Sequence, residues 1–103
     1  MQEEPLGIVI GTITDSARVP GTKRLYKLVI DIGDRSVEIA SALPHFFEEK
    51  ALLGRQVPVK TDVQPVVMHG ITSTARLIAI KNKQGMPILL LPQTAVANGD
   101  ELA

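Results

Sequence analysis

The chain has 103 residues and a mass of 11.1 kDa, enough for one domain with one core. Apolar residues make up 45 % and charged residues 21 %, as in ordinary globular domains, and no apolar run approaches the roughly 18 residues of a spanning helix. A net charge of zero argues against a general polyanion binder, and the lack of Cys excludes disulfides and thiolate chemistry.

Residues 1–5 and 100–103 read as terminal tails of a single domain spanning 1–103. The acidic opening Met1-Gln2-Glu3-Glu4-Pro5 is unlike the basic start of an export signal. With the missing cysteines, that fits a reducing, cytoplasmic compartment.

Leu6 to Thr14 is β-branched and carries Gly7 and Gly11, so it reads as a strand that bends or is closely approached by another backbone. Asp15 to Thr22, punctuated by Pro20-Gly21, reads as a loop. Arg24 to Ile32 alternates with period two: Tyr26, Leu28, Ile30 and Ile32 share one face, Lys27, Val29 and Asp31 the other. Gly33-Asp34 permits a tight turn into a second alternating run, Arg35 to Ala40, and the two form a hairpin. Pro44 to Gly54 breaks this pattern. Phe46, Phe47, Leu52 and Leu53 are spaced for one side of a short helix that Gly54 ends.

Gln56 to Thr61 returns to strand, with Val57 and Val59 on one face. Pro58, which has no N–H to donate, marks an edge or an irregularity there. Asp62 to Thr72 reads as a loop around Pro65 and Gly70, Thr74 to Lys81 as a strand, Asn82 to Gly85 as a turn, and Pro87 to Leu91 as a last strand. Ala95 to Ala103 is a polar tail or a short pairing segment. Strand, strand, strand, helix, strand, strand is the element order of an OB-fold. The expected fold is therefore all-β: a five-stranded Greek-key barrel with one short helix after the third strand.

Charge is unevenly placed. Without Glu3, Glu4, Asp100 and Glu101 the chain carries a net +4. Arg18, Lys23, Arg24 and Lys27 lie in a stretch free of acid, as do Arg76, Lys81 and Lys83 between Val63 and Asn98. Catalytic chemistry finds no foothold. The carboxylates are scattered, and the adjacent Glu48 and Glu49 diverge by about 100° on a helix, so they cannot face each other as an acid–base pair. His45 and His69 are 24 residues apart with no ligand-like neighbours, so neither a metal nor a cofactor is expected.

Read in order, Arg18-Val19-Pro20-Gly21-Thr22-Lys23-Arg24-Leu25, Lys27 to Gly33, Ile39 to Leu43, Leu52 to Val57, Pro65, Gly70-Ile71, Ser73 and Ile88 to Pro92 resemble the tRNA-binding domain family. Ala17-Arg18-Val19-Pro20 and the ending Pro92-x-x-x-Val96-x-Asn98-Gly99 are most similar to its CsaA branch of small homodimeric, chaperone-like proteins. The resemblance covers about Leu6 to Gly99. It implies an OB-fold homodimer that contacts tRNA by shape and backbone charge rather than base sequence. On this sequence it points to Ser41, Ser73 and Lys23, which join Arg18, Arg24, Lys27, Arg76 and Lys81 as candidate RNA contacts. Two positions depart from the family. Asp62 stands where the family usually has Asn, and Val66-Val67-Met68-His69 stands where it usually has basic residues. The CsaA branch implies an alternative, a groove for peptides or unfolded protein. Pro65, Val66, Val67, Met68 and His69 are its candidates, since Val and Met adapt to varied apolar partners. A purely structural dimerisation module is the third reading.

Overall fold

The computed structural model describes residues 6–23, 25–43 and 48–102. Its elements are β1 (Ile8–Arg18), β2 (Tyr26–Asp31), β3 (Ser36–Ser41), α1 (Glu49–Leu52), β4 (Gln56–Lys60), β5 (Val66–Met68), β6 (Ile71–Ser73), β7 (Arg76–Leu77), β8 (Ala79–Lys81) and β9 (Pro87–Leu89). Five strands form the main sheet in the order β3-β2-β1-β4-β7, every neighbour antiparallel. Three meandering strands with β4 returning beside β1 is the Greek key. The sheet curls until the β6–β7 segment meets β3. There Thr74 N–H donates to Glu38 O at 3.0 Å and Ala40 N–H donates to Ser73 Oγ at 2.7 Å. The result is the expected OB-type barrel, nearly closed, with one helical turn between β3 and β4.

The long strand β1 makes closure possible. Ile8 to Thr12 pair with β4 and Thr12 to Arg18 pair with β2, with a bulge between Ile13 and Asp15. A bulge bends and twists a strand, so one segment serves both halves of the barrel. Gly11 sits at the bend, where a Cβ would lie 2.6 Å from Ile30 Cγ2 and 2.8 Å from Asp31 O. The close approach expected of this strand is therefore real. The strand runs past its expected end at Thr14, because pairing with β2 carries it through Asp15 and on to Arg18.

The alternation of β2 and β3 sets the core. Tyr26, Leu28, Ile30, Val37 and Ile39 point inward and are buried with Ile13, Val57 and Val59. Gly33, with φ +105°, occupies the first central position of the two-residue hairpin turn, and Ile32 N–H closes it on Arg35 O at 2.9 Å.

Elsewhere the structure corrects the sequence reading. Among the described residues the expected short helix is one turn, Glu49–Leu52, and it ends before Leu53 and Gly54. Leu52 is buried in the core while Leu53 is 46 % exposed, so they do not share a side. Phe46 and Phe47 lie outside the described residues. Asp62 to Thr72 is not simply a loop, because it contains the β5–β6 hairpin. His69 (φ +49°) and Gly70 (φ +80°) form its two-residue turn, both in the left-handed region that such a turn demands. Histidine is a weak signal for that conformation.

The single strand expected from Thr74 to Lys81 is broken at Ile78. Ile78 N–H donates to Pro58 O at 3.0 Å, but Pro58 has no N–H to return the bond, so the ladder stops after two residues. Pro58 thus marks an irregularity, as its chemistry requires. The chain then forms the β8–β9 hairpin, in which Ile80 opposes Ile88. At the C-terminal end the pairing alternative holds for 99–102. Gly99 N–H donates to Ile10 O, Ile10 N–H to Asp100 O and Leu102 N–H to Ile8 O, at 2.7 to 3.0 Å.

Candidate nucleic-acid interface

A groove of about 680 Å³ runs over the barrel seam. One wall is Val63, Gln64, Val66 and Met68; β3 contributes Ile39, Ala40 and Ser41; the β7–β8 segment contributes Arg76 to Ala79. Arg76 is the one charged residue among the described residues lining it, and it is exposed on a strand paired with β4 at Lys60. The structure therefore brings Ser41, Ser73 and Arg76 together with Val66 and Met68. Residues proposed for RNA and residues proposed for peptides share one site.

The β5–β6 hairpin splits by alternation. Val66 opposes Ser73 and Met68 opposes Ile71, with Val66 and Met68 turned to the groove. Val67, 68 % exposed, faces the other way opposite Thr72. His69 is at the hairpin tip, and Pro65 precedes the hairpin, exposed. Ser73 is buried and its Oγ is engaged by Ala40 N–H. Its hydroxyl ties the seam from which the groove rises.

The basic cluster also divides. Arg18 opposes Tyr26, and Tyr26 opposes Ser41, so the three form one row across β1, β2 and β3 at the end of the barrel that holds the groove. Two strand spacings separate Arg18 from Ser41, about 10 Å. The Arg18 guanidinium lies 5.6 Å from the Tyr26 ring centre and donates to Lys23 O at 3.4 Å. That arrangement carries the exposed Lys23 with it in the β1–β2 loop. Lys27 alternates with Tyr26 onto the outer face and is ion-paired with Glu38 at 3.4 Å. It is not part of the groove. Lys81 is exposed at the end of β8, outside the groove lining, and Arg24 lies outside the described residues.

Asp62, the acid beside this site in sequence, is held by Lys60 Nζ at 2.8 Å. That hydrogen bond, with the ammonium charge behind it, keeps the Asp62 carboxyl below the usual carboxylate range against a smaller opposing effect of burial. The same Nζ donates to Leu6 O at 3.0 Å, and Gly7 leaves room for the carboxylate, which would lie 2.5 Å from a Cβ there. The acid is thus neutralised and fastens the start of β1. Sequence reading missed the groove walls Ile39, Val63, Gln64 and Leu77. No local signal marks them, because the closure that brings β3, the 63–64 segment and β7 to one groove joins residues distant in sequence.

A Greek-key barrel with a cation at a half-apolar groove over its seam defines an OB-type binding domain. The sequence profile of the family described as "Putative tRNA binding domain" matches residues 8–101, and the chain belongs to that family. A methionine–tRNA ligase of Methanopyrus kandleri is 38 % identical over 81 residues, covering 79 % of this chain and 12 % of the ligase. One from Methanothrix thermoacetophila is 31 % identical over 98 residues, covering 95 % and 14 %. The chain thus spans about one-eighth of the length of these curated relatives. In fold it is similar to the crystal structure of a MetRS-related protein from Pyrococcus horikoshii, with a TM-score of 0.88, 19 % identity and 100 % of both chains covered. It is also similar to the chaperone CsaA of Bacillus anthracis, with a TM-score of 0.83, 22 % identity, and 93 % of this chain and 89 % of that one covered.

Proposed function

We propose that the chain is a non-catalytic tRNA-binding module that grips the RNA backbone at the seam groove. Membership of the tRNA-binding family over residues 8–101 carries this reading. Arg76 supplies a phosphate contact from the groove, and Arg18 with Lys23 supply others from the end of the same row. Ser41 offers a hydroxyl between them. Recognition is by shape and charge, because among the described residues no aromatic side chain lines the groove on which a base could stack. The test is fluorescence anisotropy of labelled tRNA at several salt concentrations. Arg76→Ala and Arg18→Ala should each weaken binding and lower the salt slope by about 0.7–0.9. Lys27→Ala, on the outer face, should do neither. No tRNA binding at low salt, or binding and salt slope unchanged in both arginine variants, sinks the reading.

A second reading is favoured by Val66 and Met68, which put exposed apolar surface on the groove wall where charge would serve RNA better. In that reading an apolar peptide segment occupies the groove. An unfolded protein that competes with tRNA, and does so less well against Met68→Asp, would support it.

Homodimerisation belongs to the same proposal. A two-stranded hairpin alone is marginal in water. Leu89 packs on the core, so by alternation the Ile80–Ile88 pair of β8–β9 faces away from it, 49 % and 43 % exposed. A second copy of this chain is the occupant expected there. Ile88→Lys should then convert a dimer to a monomer by sedimentation, and an unchanged mass would refute this face.

A further inference from the structure

We propose that Asn98 is a deamidation site gated by the docking of residues 96–102 on β1, and that its isoaspartate product keeps that segment from docking again. The inference is independent of what the groove binds. Ala97 to Asp100 form a β-turn closed by Asp100 N–H on Ala97 O at 3.0 Å, with Gly99 at φ +95° in the position where a type II turn requires glycine. An Asn followed by Gly is the pair least hindered for attack of the following backbone nitrogen on the side-chain carbonyl. Here both reacting groups are held. Gly99 N–H donates to Ile10 O at 2.7 Å. Asn98 Oδ1 accepts from Thr12 Oγ1 at 2.8 Å and from Gln56 Nε2 at 3.1 Å. Gln56 also grips Val96 through both ends of its amide, at 2.6 and 3.0 Å.

The backbone is wedged as well. A Cβ on Gly33 would lie 2.5 Å from Asn98 O, and one on Gly99 would lie 2.7 Å from Ile32 O. While the segment is docked, Gly99 N keeps its proton in the bond to Ile10, and the Asn98 amide is turned to Thr12 and Gln56. Once it detaches, the deprotonated Gly99 nitrogen attacks Asn98 Cγ. A C–N bond forms, ammonia leaves, and a succinimide results. Water then opens the ring at either carbonyl, giving aspartate or isoaspartate. Isoaspartate adds a methylene to the main chain inside the turn, directly ahead of the first ladder bond at Gly99. Gly99, Asp100 and Leu102 then fall out of register with Ile10 and Ile8, and the contact with Gly33 leaves no room to absorb the extra length.

The experiment is incubation of the full chain at mildly alkaline pH, with peptide mapping that separates Asn, Asp and isoAsp at position 98. The folded protein should react about tenfold or more slowly than the same chain in urea, because only the detached fraction is competent. Gly33→Ala, which pushes on Asn98 O, should move the rate toward the urea value. Thr12→Val paired with Gln56→Leu, which frees Asn98 Oδ1 and releases the Val96 backbone from the Gln56 amide, should do the same if Gly33→Ala does not fold. The purified isoAsp98 form should lose amide-exchange protection at Ile10 and Leu102. Equal rates in folded and unfolded chain, or retained protection in the isoAsp98 form, would overturn the proposal.

Discussion

Replacing Ser73 with Ala removes the acceptor that holds the barrel seam. Ser73 Oγ takes the Ala40 N–H at 2.7 Å, and both residues are buried, at 7 % exposure each. Neither strand offers Ala40 N–H another acceptor, because β3 is the last strand of the sheet. The substitution therefore strands a buried donor rather than trading one bond for another. That costs about 1–3 kcal/mol. For a domain of this size each kcal/mol moves Tm by about 4–8 °C, so a fall of roughly 4–24 °C is expected. Thermal unfolding followed by circular dichroism gives the shift. Ala40 amide exchange should accelerate at the same time. Ser41→Ala is the control: Ser41 is half-buried and makes no side-chain hydrogen bond among the described residues, so its loss should stay within about 0.5 kcal/mol. If Ser73→Ala is as stable as Ser41→Ala, the seam is not held by this hydroxyl.

Three further outcomes follow from the same geometry. Gly11→Ala should destabilise by about 1–3 kcal/mol in urea titration, since its methyl meets Ile30 and Asp31 at under 3 Å and the neighbours are packed strand. Asp62 has a lowered folded pKa, so its pairing with Lys60 stabilises fully above the ordinary value of 3.8 and is lost as pH falls through the lowered folded value. Asp62→Asn should therefore flatten the stability–pH curve in that acid window and leave its shape near neutrality unchanged; a persistent acid slope would mean another carboxylate causes it. Gly70→Val should impair the β5–β6 hairpin, because φ +80° is strained for a β-branched side chain, with proteolysis between Pro65 and Ser73 as the readout.

The barrel was legible because its core strands obey period two. Tyr26, Leu28 and Ile30 against Lys27 and Asp31 fix the inner face of β2, and a single Gly-Asp turn fixes the pairing with β3. What was hidden depends on partners distant in sequence. Asp15 to Arg18 looks like a loop until β2 supplies its ladder. The break at Ile78 comes from Pro58, twenty residues earlier. The β5–β6 hairpin turns on a His in the left-handed region, which propensity disfavours. Site residues fared similarly. Ser41 and Arg76 share a groove only because closure brings β7 to β3, and register alone puts Arg18 in the row of Ser41, while Lys27 pairs with Glu38 on the outer face through the same alternation that built the core.

The groove's charge decides how firmly an RNA could be held. A site with three phosphate contacts, from Arg76, Arg18 and Lys23, gives a log–log salt slope of about −2 to −3, and affinity then falls only about 20–40-fold between 50 and 200 mM salt. A site with six to ten contacts would lose about 10³–10⁵ over the same range. The Val66–Met68 strand is what separates these regimes, because it fills a groove wall with side chains that release no counterions. Asp62 does not deepen the deficit, since its charge is paired with Lys60. A dimer through β8–β9 would double the contacts available to one RNA without altering either groove, and a measured slope steeper than −3 in the wild type that returns to that value in Ile88→Lys would show the second copy at work. A slope steeper than −3 that survives the monomerising substitution would instead mean that cations outside this row, with Lys81 and Lys83 on the β8–β9 hairpin foremost, reach the backbone.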